Sequence, residues 1–299
     1  MTSITPDRSP QLFDGRPILE LIVPVVLEDI QEPYEHGLVV AAGLAQSWQI
    51  PVRIVHVEDH AKTHATTIEQ VKQAFRGMHP ELLADAVEVE ADDVAAAITK
   101  VATDQSLILL ASKRASQWLE AASVGEAVVQ VADKMLLLCG PHCDQPPMES
   151  SVVVPLDGSP RAEEAISPAV AIARRWGSRL WIVTAIPEST AETVAALRAE
   201  GQEVSESAYV RGVAERLADT HEVDVGWQMI HDDDPVAAVS AFVEEQGSSM
   251  IVAATHGETG VARRLFGSVC MGLVEQAGVP VLIVKSAKAE EPALTSADA

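Results

Sequence analysis

Five short apolar runs, separated by stretches of helical periodicity, occur twice along the chain at an offset of about 130 to 145 residues, and this repeat constrains the fold more than any other feature. Both halves open with an apolar run interrupted by proline, "LELIVPVVLED" around Pro24 and "SSVVVPLDGS" around Pro155. Alanine-rich helix patterns follow, "EHGLVVAAGLAQSWQ" and "AEEAISPAVAIARRWG", and then second runs, "PVRIVHVED" and "SRLWIVTAIPE". Third, alternating runs lie in "ADAVEVEADD" and "VDVGWQMIHDDD", and acidic residues lead the next helices, "DVAAAITKVATDQ" and "DPVAAVSAFVEEQG", as suits a helix amino terminus. Fourth runs, "SLILLAS" and "SMIVAAT", and fifth runs, "KMLLLCG" and "VPVLIVK", close the halves. Strands alternating with helices require right-handed crossovers and a parallel sheet covered on both faces. The expected fold class is therefore α/β, two tandem five-stranded parallel sheets, with domains at 17–140 and 150–286. The seam is "GPHCDQPPMES", where proline, glycine and polar residues replace periodicity, and residues 1–16 and 287–299 read as flexible tails.

A length of 299 residues exceeds what one core usually fills, in keeping with two domains. No uninterrupted apolar stretch reaches the roughly 20 residues that span a bilayer, and the polar opening "MTSITPDRSPQLFDGRP" lacks the apolar centre of a secretory signal. A cytoplasmic protein without a membrane partner is the expectation. Forty-four acidic against twenty-one basic side chains give a formal charge of -23, which repels nucleic acid and leaves any anionic ligand dependent on local positive potential. Three cysteines, Cys139, Cys143 and Cys270, form no disulfide framework.

Local positive potential is available near the end of the chain. The stretch "AATHGETGVARRLFGSVC" leaves the fourth strand of the second half through Gly257 and Gly260 and is expected to open the last helix at Gly267, Ser268, Val269 and Cys270. Backbone amides at a glycine-rich turn and in a first helical turn converge and hold phosphate. Glycine admits a close oxygen, Ser268 adds a hydroxyl donor, and Arg263 supplies a cation beside Arg264. Asp157, at the end of the second half's first strand after Pro155 and Leu156, is placed to meet a ribose or a base edge, or else to cap the turn Asp157-Gly158-Ser159.

With these residues the chain resembles the universal stress protein family, as a tandem member. The resemblance implies a Rossmann-like α/β/α sandwich of the adenine nucleotide alpha hydrolase-like type, strand order 3-2-1-4-5, and in the ATP-binding branch a G-x2-G-x9-G-[ST] signature. Carried onto this sequence, the second and third glycines are Gly257 and Gly267, the hydroxyl is Ser268, the strand-one carboxylate is Asp157, and the backbone that meets adenine falls near Ala185. The first glycine is Ala254 here, an added methyl on the order of 1 kcal/mol of intrusion. His256 is read as shaping the loop. The family also implies pairing of fifth strands, internally as a pseudo-dimer between "KMLLLCG" and "VPVLIVK", with homodimerisation of whole chains left open.

In the first half Arg114 or Ser112 stands for Gly257, Ala122 for Gly267 and Val26 for Asp157, so only Ser123 of the nucleotide set survives. The implied function is an adenine-nucleotide binder (ATP, ADP or AMP, with or without Mg2+) in the second half, acting as a stress-response or regulatory module toward a protein partner, and not an enzyme. The alternatives are a nucleotide-free scaffold and a slow ATPase. His56, His60 and His64 recur at every fourth residue, yet His56 belongs to a strand, so a metal site is not expected there, nor at Cys139 and Cys143.

Overall fold

The apolar runs become the strands of one sheet. The computed structural model describes residues 11–12, 16–25, 36–58, 67–82, 84–90, 93–111, 128, 135–143, 147–190, 207–255 and 262–285. A small antiparallel pair, β1 (Gln11–Leu12) and β2 (Arg16–Pro17), precedes the first half. That half runs β3 (Glu20–Val25), α1 (His36–Trp48), β4 (Val52–Glu58), α2 (Ile68–Met78), β5 (Ala84–Glu90), α3 (Val94–Val101), β6 (Ser106–Ala111) and β7 (Met135–Cys139). The second runs β8 (Ser151–Pro155), α4 (Ile166–Trp176), β9 (Arg179–Ile186), α5 (Ala208–His221), β10 (Val225–His231), α6 (Pro235–Glu245), β11 (Met250–Thr255), α7 (Ala262–Gln276) and β12 (Val281–Lys285).

The spatial order is β10-β9-β8-β11-β12-β7-β6-β3-β4-β5. Each half is parallel within itself and has the order 3-2-1-4-5, and the halves join where β12 meets β7 antiparallel, with Val281 opposite Leu138 and Ile283 opposite Leu136. The expectation of two separate sheets is thereby corrected to a single ten-stranded mixed sheet. The physical cause is the fifth strands themselves. Leu136, Leu137 and Leu138 on β7 and Val281, Leu282 and Ile283 on β12 are fully or almost fully buried, and an open edge that apolar is covered most simply by its counterpart.

Successive side chains of the central strands alternate between two cores. Leu107, Leu109, Val152, Val154 and Val252 enter one core with α1, α2, α4 and α5. Ile108, Leu110, Val153, Ile251 and Ala253 enter the other with α3, α6 and α7. Both faces are thus dry, which accounts for continuous apolar runs rather than alternating ones. On the first face the halves meet directly: the Trp48 and Trp176 rings lie 6.3 Å apart, Trp176 Nε1 donates to Ser47 Oγ at 2.8 Å, and Ser47 Oγ donates to Glu149 at 2.6 Å. At the seam Gly140 lies against the α7 backbone so closely that a β-carbon would stand 1.6 Å from the Val274 carbonyl oxygen.

Residues 11–12 and 16, expected in a flexible tail, form strand, the last together with Pro17, and β1 lies against α4 of the second half. The remaining tail residues fall outside the described residues. No helix among the described residues is long and apolar enough to cross a membrane.

Candidate functional site

Strand order reverses between β8 and β11, and there the backbone ladder stops early. Pairing from β8 to β9 runs from Ser151 through Pro155, opposite Val183. Pairing from β8 to β11 ends at Val153 opposite Ile251. Past that point the two strands part, and the crevice between their carboxyl ends is the place where open α/β sheets receive ligands. The first half separates in the same way, with β3 paired to β6 only through Ile22 opposite Ile108.

On the β8 side, Pro155 is half-buried and Leu156 buried, its amide donating to the Val183 carbonyl at 2.8 Å. Asp157 is exposed at the lip. Its Oδ1 accepts the Ser159 amide at 2.9 Å across Gly158, whose φ of +85° favours glycine, and Ser159 Oγ accepts the Ala162 amide at 3.1 Å. The carboxylate therefore performs the turn-capping role that the sequence allows, and remains at the crevice. On β9, Ala185 is half-buried opposite Ile230 of β10. Its neighbour Thr184 carries a buried hydroxyl with no hydrogen-bond partner among the described residues, one position beyond the carbonyl that Leu156 bonds. A buried hydroxyl without a partner is costly and suits a ligand group arriving beside it.

On the β11 side, Ala254 is half-buried, opposite Val284, and packs on the same core as Ala162. His256, Gly257 and Gly260 lie outside the described residues. Helix α7 begins at Ala262, five residues before Gly267, so Gly267 and Ser268 do not open the helix as the sequence suggested. Ala262, Arg263, Arg264 and Leu265 are all strong helix formers, and nothing in that run delays the start. The first-turn amides, which have no partner within the helix, accordingly belong to 262–265, the segment that carries Arg263. Ser268 is exposed and Val269 half-buried. Cys270 is turned into the second core, where burial pushes its thiol up to about 12, so its side chain takes no part in an anion site.

One cluster beside the lip has no sequence signature. Tyr209, at the start of α5, donates to Glu163 Oε1 at 3.0 Å, and Arg216 lies 3.7 Å from Glu163 Oε2. Burial first, and the Glu163 carboxylate second, raise the phenol to about 12, with Asp157 adding to the rise. Tyr209 therefore stays protonated, a fixed donor in sight of Asp157. It could be found only once α5 and the turn after β8 were known to be neighbours. His56 is buried in β4 with Nδ1 3.2 Å from the Val25 carbonyl, as a strand residue, while His60 and His64 lie outside the described residues. Cys139 and Cys143 are buried free thiols, and no group of three or more metal-ligating side chains occurs among the described residues.

A family model described as the universal stress protein family matches residues 148–285. Universal stress protein MJ0531 of Methanocaldococcus jannaschii is 28% identical over 149 residues, covering 46% of this chain and 84% of that one. Universal stress protein Rv2005c of Mycobacterium tuberculosis is 32% identical over 147 residues, and the match spans about half of either protein, 46% of each. Among solved structures, a universal stress protein from Archaeoglobus fulgidus superposes over 90% of this chain and 97% of its own with a TM-score of 0.62 at 17% identity, a likeness of fold.

Proposed function

We propose, from the premise that the chain belongs to the universal stress protein family through residues 148–285, that its second half binds an adenine nucleotide in the crevice between β8 and β11. The observation that carries the reading is the early end of the β8–β11 ladder with Asp157 at its lip. Asp157 would meet the ribose hydroxyls, the Thr184 hydroxyl and the Ala185 backbone the base, and the first-turn amides of α7 the phosphates, with Arg263, Gly267 and Ser268 on the same helix. Ala254, half-buried on β11, adds one methyl where the signature has glycine, an intrusion on the order of 1 kcal/mol.

On this reading the nucleotide is an occupancy signal rather than a substrate. Binding would change the surface that the crevice offers to a protein partner in a cytoplasmic stress-response role. Backbone donors and one carboxylate suffice for binding, whereas rapid hydrolysis asks for a positioned water and neutralisation of the leaving group. The engagement of Asp157 with Ser159 favours a second reading, a scaffold whose crevice needs no guest. Thermal melts separate the two. ATP at about a hundred times its dissociation constant stabilises a native-state binder by about 2.7 kcal/mol, so the melting temperature rises by several degrees, with or without Mg2+. Asp157→Ala removes that rise. A melting temperature unmoved by ATP, ADP and AMP in the parent protein supports the scaffold.

A further inference from the structure

The two outer edges of the ten-stranded sheet are built differently. β5, at one end, has the sequence "ADAVEVE", with Asp85 and Glu88 exposed, and charges of this kind discourage another strand from docking. β10, at the other end, has the sequence "VGWQMIH" and carries no acidic or strongly basic side chain. Its seven residues pair with β9 along their whole length, and no described strand covers the outer side. Asp224 accepts from the Leu180 amide and Asp232 donates to the Ile186 carbonyl, so even-numbered residues face β9. The alternation directs the amides and carbonyls of Val225, Trp227 and Met229 outward, where the Met229 carbonyl accepts from Gln228 Nε2 at 3.2 Å and keeps its second lone pair. Trp227 is also one of the two large apolar side chains exposed among the described residues, at 38%.

Beside this edge, between β10 and α6, runs a groove of about 470 Å³. Its floor is Ile230 and Phe242, its amide groups are Gln228 and Gln246, and its charges are Asp232 and Glu245. The two carboxylates sit near opposite ends of α6, an element of 11 residues and so about 16 Å long. No cation lines the groove. Arg179, at the start of β9 beside this edge, stacks on Trp181 and is paired with Asp224 at 2.7 Å. An apolar trough with carboxylates toward its ends suits a side chain with an aliphatic stem and a cationic head.

We propose that β10 and this groove form a docking edge for an extended, lysine- or arginine-bearing segment of a partner protein, which adds to the sheet as an eleventh strand. Backbone pairing to Val225, Trp227 and Met229 would supply affinity, and alternate side chains would enter the groove toward Asp232 and Glu245. The -23 charge of the chain favours the same partner chemistry from a distance.

The test is fluorescence anisotropy of the intact protein with a labelled seven-residue peptide alternating lysine and valine, matched in length to β10. A peptide with glutamate in place of lysine, and spermidine as a small cation, are run beside it. The proposal expects saturable one-to-one binding of the lysine peptide only, lost in Trp227→Pro, which removes an outward amide at an edge position that tolerates proline. Asp232→Asn with Glu245→Gln keeps the groove's shape and should weaken binding about tenfold or more, and it decides the matter if the proline variant fails to fold. Absent binding, equal binding of both peptides, or unchanged affinity in the neutralised variant overturns the proposal. Displacement of the peptide by spermidine with Trp227→Pro binding as before makes a free amine the occupant. Peptide-independent dimers that vanish in Trp227→Pro make it a second copy of the chain. Either result overturns strand addition.

Discussion

Asp157 caps a turn and is also the carboxylate proposed to meet the nucleotide. Its Oδ1 accepts the Ser159 amide, and it follows the end of β8 by two residues, at the parting of β8 and β11. Asp157→Asn should therefore keep most of the turn while weakening nucleotide binding, whereas Asp157→Ala should lose both, with about 1 kcal/mol of stability, in paired denaturation and binding titrations. Gly140 is a sharper case. A β-carbon there meets a backbone oxygen at 1.6 Å, so Gly140→Ala should cost about 1 to 3 kcal/mol in urea unfolding although the chemical change is one methyl. Cys270 and Tyr209 give a pH signature. Their protonated forms are favoured by folding, to about 12 in each case, from ordinary values of 9.0 and 10.0. The stability they contribute is whole below about pH 9 and falls as pH rises toward 12, because the unfolded chain ionises first. Cys270→Ala should flatten the decline that starts at pH 9 in a series of melts, while an unchanged slope would remove Cys270 from its cause.

Helices and strands were legible where one signal governed them. The apolar runs gave all ten strands of the main sheet, and the acidic residues ahead of α3 and α6 are caps in fact. Asp93 accepts the Ala96 amide at 3.0 Å, and Asp234 accepts those of Val236 and Ala237 at 2.9 and 3.1 Å. Asp234→Ala should cost about 1 kcal/mol by thermal or chemical unfolding. Two elements were not legible. A pair as short as β1 and β2 has no periodicity to read, and its place depends on contact with α4 from the other half of the chain. The start of α7 was displaced because glycine at 267 suggested a boundary, while four good helix formers before it carry the helix further back. The candidate site was legible to the same degree: Asp157 and the strand ends could be placed from sequence, but Tyr209, Glu163 and the hydroxyl of Thr184 belong to contacts that exist only after folding.

At the scale of the molecule, duplication was plain in the sequence, and the union of both halves into one sheet depends on what each fifth strand leaves uncovered. β12 satisfies its outer side with β7, in a register fixed by Leu136, Leu137 and Leu138. A fragment of residues 147–285 alone would expose that edge, and it should dimerise through β12 by light scattering, where the whole chain needs no such contact. A monomeric, stable fragment would show that the seam is not what buries the edge. The joined sheet also holds the first half's parting of β3 and β6, where the sequence has Val26, itself outside the described residues, at the position corresponding to Asp157. On the proposed function only the second crevice takes a nucleotide, and isothermal titration of the intact protein with ATP decides the point. One nucleotide per chain, abolished by Asp157→Ala, is the predicted result. No heat of binding at all, or binding that Asp157→Ala leaves untouched, would contradict it.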